Sequence, residues 1–210
     1  MLKGMIIDLD ETLISAKPAH ESALKDALER HGYPKRLEWI YGLVVEDLIR
    51  YNFPKMPDED VIKVADMKKK KLKNYSSLIK QIPGAEDFLK FLKSKGLKLC
   101  LLTNNSHHEI NHILEQMGWE KYFDGTVGKE DGAPKPSPQP VYIALEKLGL
   151  DKKEVLYFGD SDVDILSAHA AGVRMMLTQI VHSTAKETNK VEFIITSYRA
   201  AKSKIGEMLK

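Results

Sequence analysis

From residue 84 onward, short apolar runs alternate with segments of helical period, and this alternation constrains the fold more than any other feature of the chain. Pro83-Gly84 opens a segment in which Ala85, Phe88, Leu89 and Leu92 share one helical face, and Gly96 closes it. Leu97 to Leu102 is an apolar run of strand length. Ser106 and Glu109 stand at capping-box spacing before a segment that turns Ile110, Ile113, Leu114 and Met117 to one side, and Gly118 ends it. A helix from about Ser137 to Leu148, a strand over Val155 to Phe158, a helix from about Asp162 to Ala171 and a strand over Val173 to Leu177 follow. A short strand, Phe193 to Ile195, precedes a terminal helix. A helix between successive strands returns the chain to start the next strand in the same direction. The pattern therefore predicts an α/β fold, a Rossmann-like parallel sheet with helices on both faces.

Gly4 to Asp8 reads as one more strand of that sheet, but residues 16 to 80 separate it from the others and contain no convincing strand. Leu24, Ala27 and Leu28 mark one amphipathic helix there. Leu37, Ile40, Tyr41, Val44 and Leu48 mark a second, and Val61, Val64 and Ala65 a third that ends near Lys68 to Lys71. Pro54 and Pro57 divide the last two. The expected organisation is a core made of 1–15 and 81–210, with 16–80 as a small all-helical cap domain inserted after strand one. The four consecutive lysines read as a solvated helix face, with a phosphate-attracting patch as the alternative.

Composition removes several classes of function. With 43% hydrophobic and 30% charged residues and a formal net charge of +2, the 210-residue chain has neither the basic surface of a nucleic-acid binder nor that of a membrane-surface protein. No stretch approaches the roughly 20 apolar residues of a membrane span. The single cysteine, Cys100, lies in an apolar run and excludes an intramolecular disulfide. No secretory signal pattern is visible at the N-terminus, so the cytoplasm is the expected compartment.

Ligand sites of open α/β sheets gather at the carboxyl ends of the strands, and here those ends carry one chemistry. Strand one runs into Asp8-Leu9-Asp10-Glu11-Thr12, the strand ending at Leu102 into Thr103-Asn104-Asn105, and the strand ending at Phe158 into Gly159-Asp160-Ser161-Asp162-Val163-Asp164. Lys135, in Lys135-Pro136-Ser137-Pro138, lies just before a helix in the connection between the latter two. Asp8, Asp10 and Asp160 would repel one another unless a hard divalent cation such as Mg2+ neutralised them, and that ion also accepts phosphate oxygens. Lys135 adds a compact positive charge for the same phosphate, and Thr103 a hydroxyl next to the N–H groups of a helix start. A carboxylate so compensated can attack phosphorus, and an acid one residue removed can protonate the leaving oxygen and then activate water. Each motif alone has a structural explanation as a turn, a cap or a loop. Their occurrence together, in chain order, does not.

Together the four motifs resemble those of the haloacid dehalogenase superfamily over nearly the whole chain. Asp8-Leu9-Asp10-Glu11-Thr12-Leu13 is similar to its nucleophile motif and Leu101-Leu102-Thr103-Asn104 to its phosphate-binding motif. Lys135-Pro136-Ser137-Pro138 is similar to its lysine motif and the segment from Gly159 to Asp164 to its metal motif. The resemblance implies Asp8 as nucleophile and metal ligand, and Asp10 as general acid and base whose backbone carbonyl also binds the metal. It implies Thr103, Asn104 and Lys135 as phosphate-binding residues. Asp160 completes the metal shell, with Asp164 beside it orienting a water or Lys135. The insertion is similar to the cap of the phosphoglycolate phosphatase-like branch. Glu11 stands where the family usually has glycine.

The resemblance thus implies a magnesium-dependent phosphatase acting on a small phosphorylated metabolite through an aspartyl-phosphate on Asp8. Asp10 favours phosphoryl transfer over dehalogenation, because a halide leaves without a proton. A sugar phosphomutase is the nearest alternative, since His20 resembles a histidine at the same place in those enzymes; its other reading is a polar residue near a helix start. His107 and His108 read as the exposed first turn of a helix. A non-catalytic module that senses a phosphorylated ligand is a further alternative, against which the presence of both Asp8 and Asp10 argues. Neither the substrate nor the oligomeric state is readable from the residues.

Overall fold

The computed structural model describes residues 1–181 and 185–210. In chain order its main elements are β1 (Gly4–Ile7), β2 (Ile14–Ser15), α1 (Lys17–Arg30), α2 (Val45–Asn52), α3 (Asp58–Leu72), β3 (Lys80–Gln81), α4 (Ala85–Ser94) and β4 (Lys98–Leu102). They continue with α5 (His107–Met117), β5 (Gly125–Val127), α6 (Gln139–Leu148), β6 (Val155–Gly159), α7 (Asp162–Ala171), β7 (Arg174–Thr178), β8 (Phe193–Ile195) and α8 (Tyr198–Met208). Six strands form one sheet in the order β5-β4-β1-β6-β7-β8, and every neighbouring pair is parallel.

Alternation along the strands sorts the core into two layers. Ile7, Leu101 and Phe158 face one side, with the apolar faces of α4, α5 and α8. Ile6, Cys100 and Tyr157 face the other, with α6 and α7. Successive strand side chains point to opposite faces, so strands covered on both sides read as continuous apolar runs. Phe88 of α4 is fully buried between Phe158 and Tyr198, with ring centroids 5.1 and 5.2 Å away. Truncating such a ring costs about 3–5 kcal/mol. Cys100 behaves as a small hydrophobe, and burial pushes its thiol up to about 12.

Register decides where the chemistry sits. Ile7 pairs with Leu101 on one side and with Phe158 on the other. Asp8, the residues after Leu102 and those after Gly159 therefore leave the sheet at the same end.

The structure departs from the sequence reading in three places. Leu37 to Val44 are not helical, and α2 begins only at Val45. Gly42 has φ +78, and a Cβ there would lie 2.2 Å from Val163 Cγ2. The segment is drawn as a loop against α7, in a conformation that glycine tolerates and a helix does not use. Second, β5 was not legible, because three residues beginning with glycine carry no periodicity. Third, β2 and β3 form a two-residue antiparallel ladder, Ile14 with Gln81 and Ser15 with Lys80, which clamps the two ends of the helical insertion together. Within the insertion α1, α2 and α3 share their own apolar cluster, built on Leu24, Leu28, Leu48, Val61 and Val64. Among the described residues no helix is long and apolar enough to cross a membrane.

Candidate active site

Asp8 follows the central strand, and its N–H donates to the Phe158 carbonyl at 2.9 Å, so its backbone is part of the sheet. The Lys135 ammonium donates to Asp8 Oδ1 at 2.7 Å and to Asp164 Oδ1 at 2.6 Å, with its side chain 2% exposed. Asp164, in the first turn of α7, is fully buried. It also accepts from the Tyr157 hydroxyl at 2.8 Å and from the Ser161 N–H and hydroxyl at 3.1 and 2.5 Å. Thr12 donates to Asp160 Oδ1 at 3.1 Å. Thr103 is buried, and its hydroxyl accepts from Asn105 N–H at 3.2 Å.

One carboxylate oxygen from each of Asp8, Asp160 and Asp164 lies within 4.8 Å of the other two. Burial, together with Asp164 and Asp10, pushes Asp8 up to about 8 against the pull of Lys135. Burial and the charges of Asp8 and Asp164 hold Asp160 well above the usual carboxylate range. Burial acts on Asp164 in the same direction, but Lys135 and the hydrogen bonds from Ser161 and Tyr157 outweigh it and keep Asp164 below its ordinary value. Among the described residues the cluster has one lysine for three buried carboxylates. That shortage of positive charge, with oxygen donors alone, fits a hard divalent cation. The cluster draws in the side chain of Asp164 rather than that of Asp10.

Asp10 has a different partner. Its Oδ2 accepts from Asn105 Nδ2 at 2.6 Å, and among the described residues its buried Oδ1 has no hydrogen-bond partner. Burial raises its carboxyl to about 6 although Asn105 pulls it down. A carboxyl poised there can hold or release a proton near neutral pH. Asn105, adjacent to the expected Asn104, orients this acid, and nothing in the sequence distinguished the two. The Asn104 side chain is committed to the backbone: it accepts from Lys135 N–H at 2.9 Å and donates to the carbonyls of Lys135 and Gly42 at 3.1 and 2.8 Å. It fastens the lysine loop to the insertion.

A cavity of about 390 Å3 opens above these groups, lined by Asp8, Asp10, Thr103, Lys135 and Asp160 from the sheet side and by residues of the insertion. The loop before α2 reaches into it, so Tyr41, Gly42 and Leu43 line it. Among the described residues two ion pairs join the insertion to the sheet side, Lys68 to Glu109 at 3.5 Å and Glu46 to Lys129 at 2.6 Å. Of the lysine run, Lys68 is buried and Lys71 pairs with Asp26, while Lys69 and Lys70 are exposed. The solvated-face reading thus describes only half of the run.

His20, on α1, lines the cavity and is buried, and among the described residues its Nε2 has no hydrogen-bond partner. Burial, reinforced by Lys68, lowers it to about 3, so it is neutral at physiological pH. His107 and His108 begin α5; His107 pairs with Asp131 at 2.6 Å and His108 is exposed. Glu11 adopts φ 56, the left-handed region that glycine favours. Its carboxylate accepts from the N–H groups of Ala16 and Lys17, both at 3.0 Å, and so caps α1.

A parallel α/β sheet that converges a lysine-bonded aspartate, a separate poised acid and a cation-compatible carboxylate cluster on one cavity defines a hydrolase built for phosphoryl chemistry. The family model for haloacid dehalogenase-like hydrolases matches residues 5–178. A phosphoglycolate phosphatase of Cereibacter sphaeroides (strain ATCC 17025) is 34% identical over 185 residues, 84% of each chain. The phosphorylated carbohydrates phosphatase of Thermotoga maritima is 30% identical over 189 residues, 87% of each chain. The solved structure of a hydrolase from Pseudomonas syringae superposes with a TM-score of 0.85 at 20% identity, covering 98% of this chain and 99% of that one, a likeness of fold. The chain belongs to the haloacid dehalogenase-like hydrolase family, whose phosphatases use a divalent metal.

Proposed function

We propose that this chain hydrolyses phosphate monoesters of small metabolites, with Asp8 attacking phosphorus to form an aspartyl-phosphate. The observation that carries the reading is the Lys135 ammonium held between Asp8 and Asp164 beneath a cavity that Asp10, with one buried carboxylate oxygen unpartnered among the described residues, also lines. Lys135 and Thr103 hold the phosphate, and Asn104 fixes the loop that carries Lys135. Asp10 protonates the leaving oxygen and, once ionised, takes the proton of the attacking water; Asn105 orients it. Magnesium would be held by Asp8, Asp160 and the Asp10 backbone carbonyl, with Asp164 beside them. When bound it supplies charge for the phosphate oxygens.

Residues 16–80 serve as the cap over a core made of 1–15 and 81–210, closing on a small substrate and excluding bulk water. A protein or nucleic acid does not fit under such a lid. The names of the relatives support a phosphorylated two-carbon acid or a sugar phosphate as substrate. The lone buried thiol supports a reducing compartment, and we assign the cytoplasm. A phosphomutase reading draws on His20, which lines the same cavity.

The test is a panel of small phosphate esters assayed with and without magnesium, following free phosphate and isomer formation together. Stoichiometric phosphate supports the phosphatase. Conversion of a hexose 1-phosphate to a 6-phosphate with little free phosphate favours the mutase. Asp8→Asn should abolish nearly all turnover with the fold intact, and a parental rate in that variant would refute the aspartyl-phosphate.

A further inference from the structure

We propose that Lys17 selects the substrate by binding a carboxylate carried on its leaving group. The inference rests on the phosphatase reading above and adds the class of ester. Five lysines line the cavity: Lys17, Lys68, Lys69, Lys129 and Lys135. Three are committed, Lys135 to Asp8 and Asp164, Lys68 to Glu109, and Lys129 to Glu46. Lys69 is exposed, whereas Lys17 is half-buried.

Among the described residues no carboxylate forms an ion pair with the Lys17 ammonium. Its contact is the Tyr41 ring, with Nζ 5.1 Å from the centroid. An aromatic face attracts an ammonium without neutralising it, so the full charge remains available to an anion. Tyr41 lines the cavity beside it, in the loop that Gly42 holds against α7.

The backbone of Lys17 is anchored as well. Glu11 accepts from its N–H, and Glu11 follows Asp10 directly. The Glu11 carboxylate thus ties the first turn of α1 to the loop that carries the general acid. Glu11 itself is 5% exposed. The departure from glycine at this position therefore has a structural consequence: it fixes the residue that brings an ammonium to the cavity that Asp10 shares. Phosphate occupies the Lys135 and Thr103 end, and Asp10 meets the bridging oxygen. A carboxylate a few atoms beyond that oxygen meets Lys17. A single ammonium matches a monoanion, and a cavity of about 390 Å3 suits a compact ester. A neutral alcohol would leave the ammonium uncompensated.

The experiment uses the whole chain with magnesium and two probes of equal length, 2-phosphoglycolate and ethyl phosphate. The parent should prefer 2-phosphoglycolate. In Lys17→Met the ratio of kcat/KM for the two probes should fall about ten- to hundredfold, the value of one charge-assisted contact, chiefly through KM. Lys17→Arg should restore most of it. A ratio unchanged in Lys17→Met, or a parent that shows no preference, overturns the proposal. Hydrolysis of neither probe nor any other ester by the parent overturns the phosphatase reading and this proposal with it, a result distinct from ester hydrolysis without preference.

Discussion

Replacing Lys135 with methionine isolates the electrostatic argument for the site. The lysine side chain is 2% exposed and bridges Asp8 and Asp164 at 2.7 and 2.6 Å. Without it three buried carboxylates share one small volume. Removing one partner of a buried pair costs about 3–5 kcal/mol. Protonation sets a ceiling on that cost. Asp164 is held below its ordinary value of 3.8 in the parent. Keeping it protonated near pH 7.5 instead would cost about 5 kcal/mol, and near pH 5 only about 1.6 kcal/mol, at 1.36 kcal/mol per unit. The sign follows from proton counting. In the parent the folded chain binds fewer protons at Asp164 than the unfolded chain, so its contribution is present above about pH 4 and lost below. In the variant the folded chain binds more, so its stability falls as pH rises. The gap between the two proteins must therefore widen with pH. Urea denaturation in excess chelator, followed by circular dichroism near pH 5 and pH 7.5, measures it. A destabilisation under about 1 kcal/mol near pH 7.5, or one no smaller near pH 5, would refute the reasoning. Turnover should fall at least about a hundredfold in the same variant.

Chelation should abolish turnover and magnesium restore it, while calcium should substitute poorly because its looser coordination misplaces nucleophile and phosphate; full activity in chelator contradicts this. His20 is lowered from 6.5 to about 3 by burial and Lys68, so the folded chain resists a proton that the unfolded chain accepts. Stability should drop by about 2 kcal/mol from this group between about pH 7.5 and pH 5, and a His20→Leu variant should show a correspondingly flatter profile in urea titrations. Glu11→Ala should cost about 1 kcal/mol through loss of the α1 cap, whereas Glu11→Gly should come closer to neutral because relief of the left-handed φ offsets that loss. Equal Tm values for the two variants would count against this balance.

The parallel sheet and the motifs at its strand ends were legible because both are local. A buried strand shows as an apolar run, and the residues that follow it emerge at the carboxyl edge whatever the rest of the chain does. Asp8, Thr103, Asp160 and Asp164 needed only that rule, whereas Lys135 was found by its motif, in a connection whose strand β5 was not legible. Glu11 was visible as a departure from glycine, but not its use. A side chain bonded to the N–H groups of Ala16 and Lys17 leaves no periodic trace. The apolar positions from Leu37 to Leu48 mimicked a helix, and packing of Gly42 against Val163 overrode that local pattern. Local sequence therefore determined most of the elements, the parallel sheet and the ends that carry the acids. Tertiary structure alone decided the far wall of the cavity, where Lys68 meets Glu109 across 41 positions and Lys129 meets Glu46 across 83. Only the packing of the insertion on the sheet brings those charges together, and in doing so it leaves Lys17 with its charge unspent.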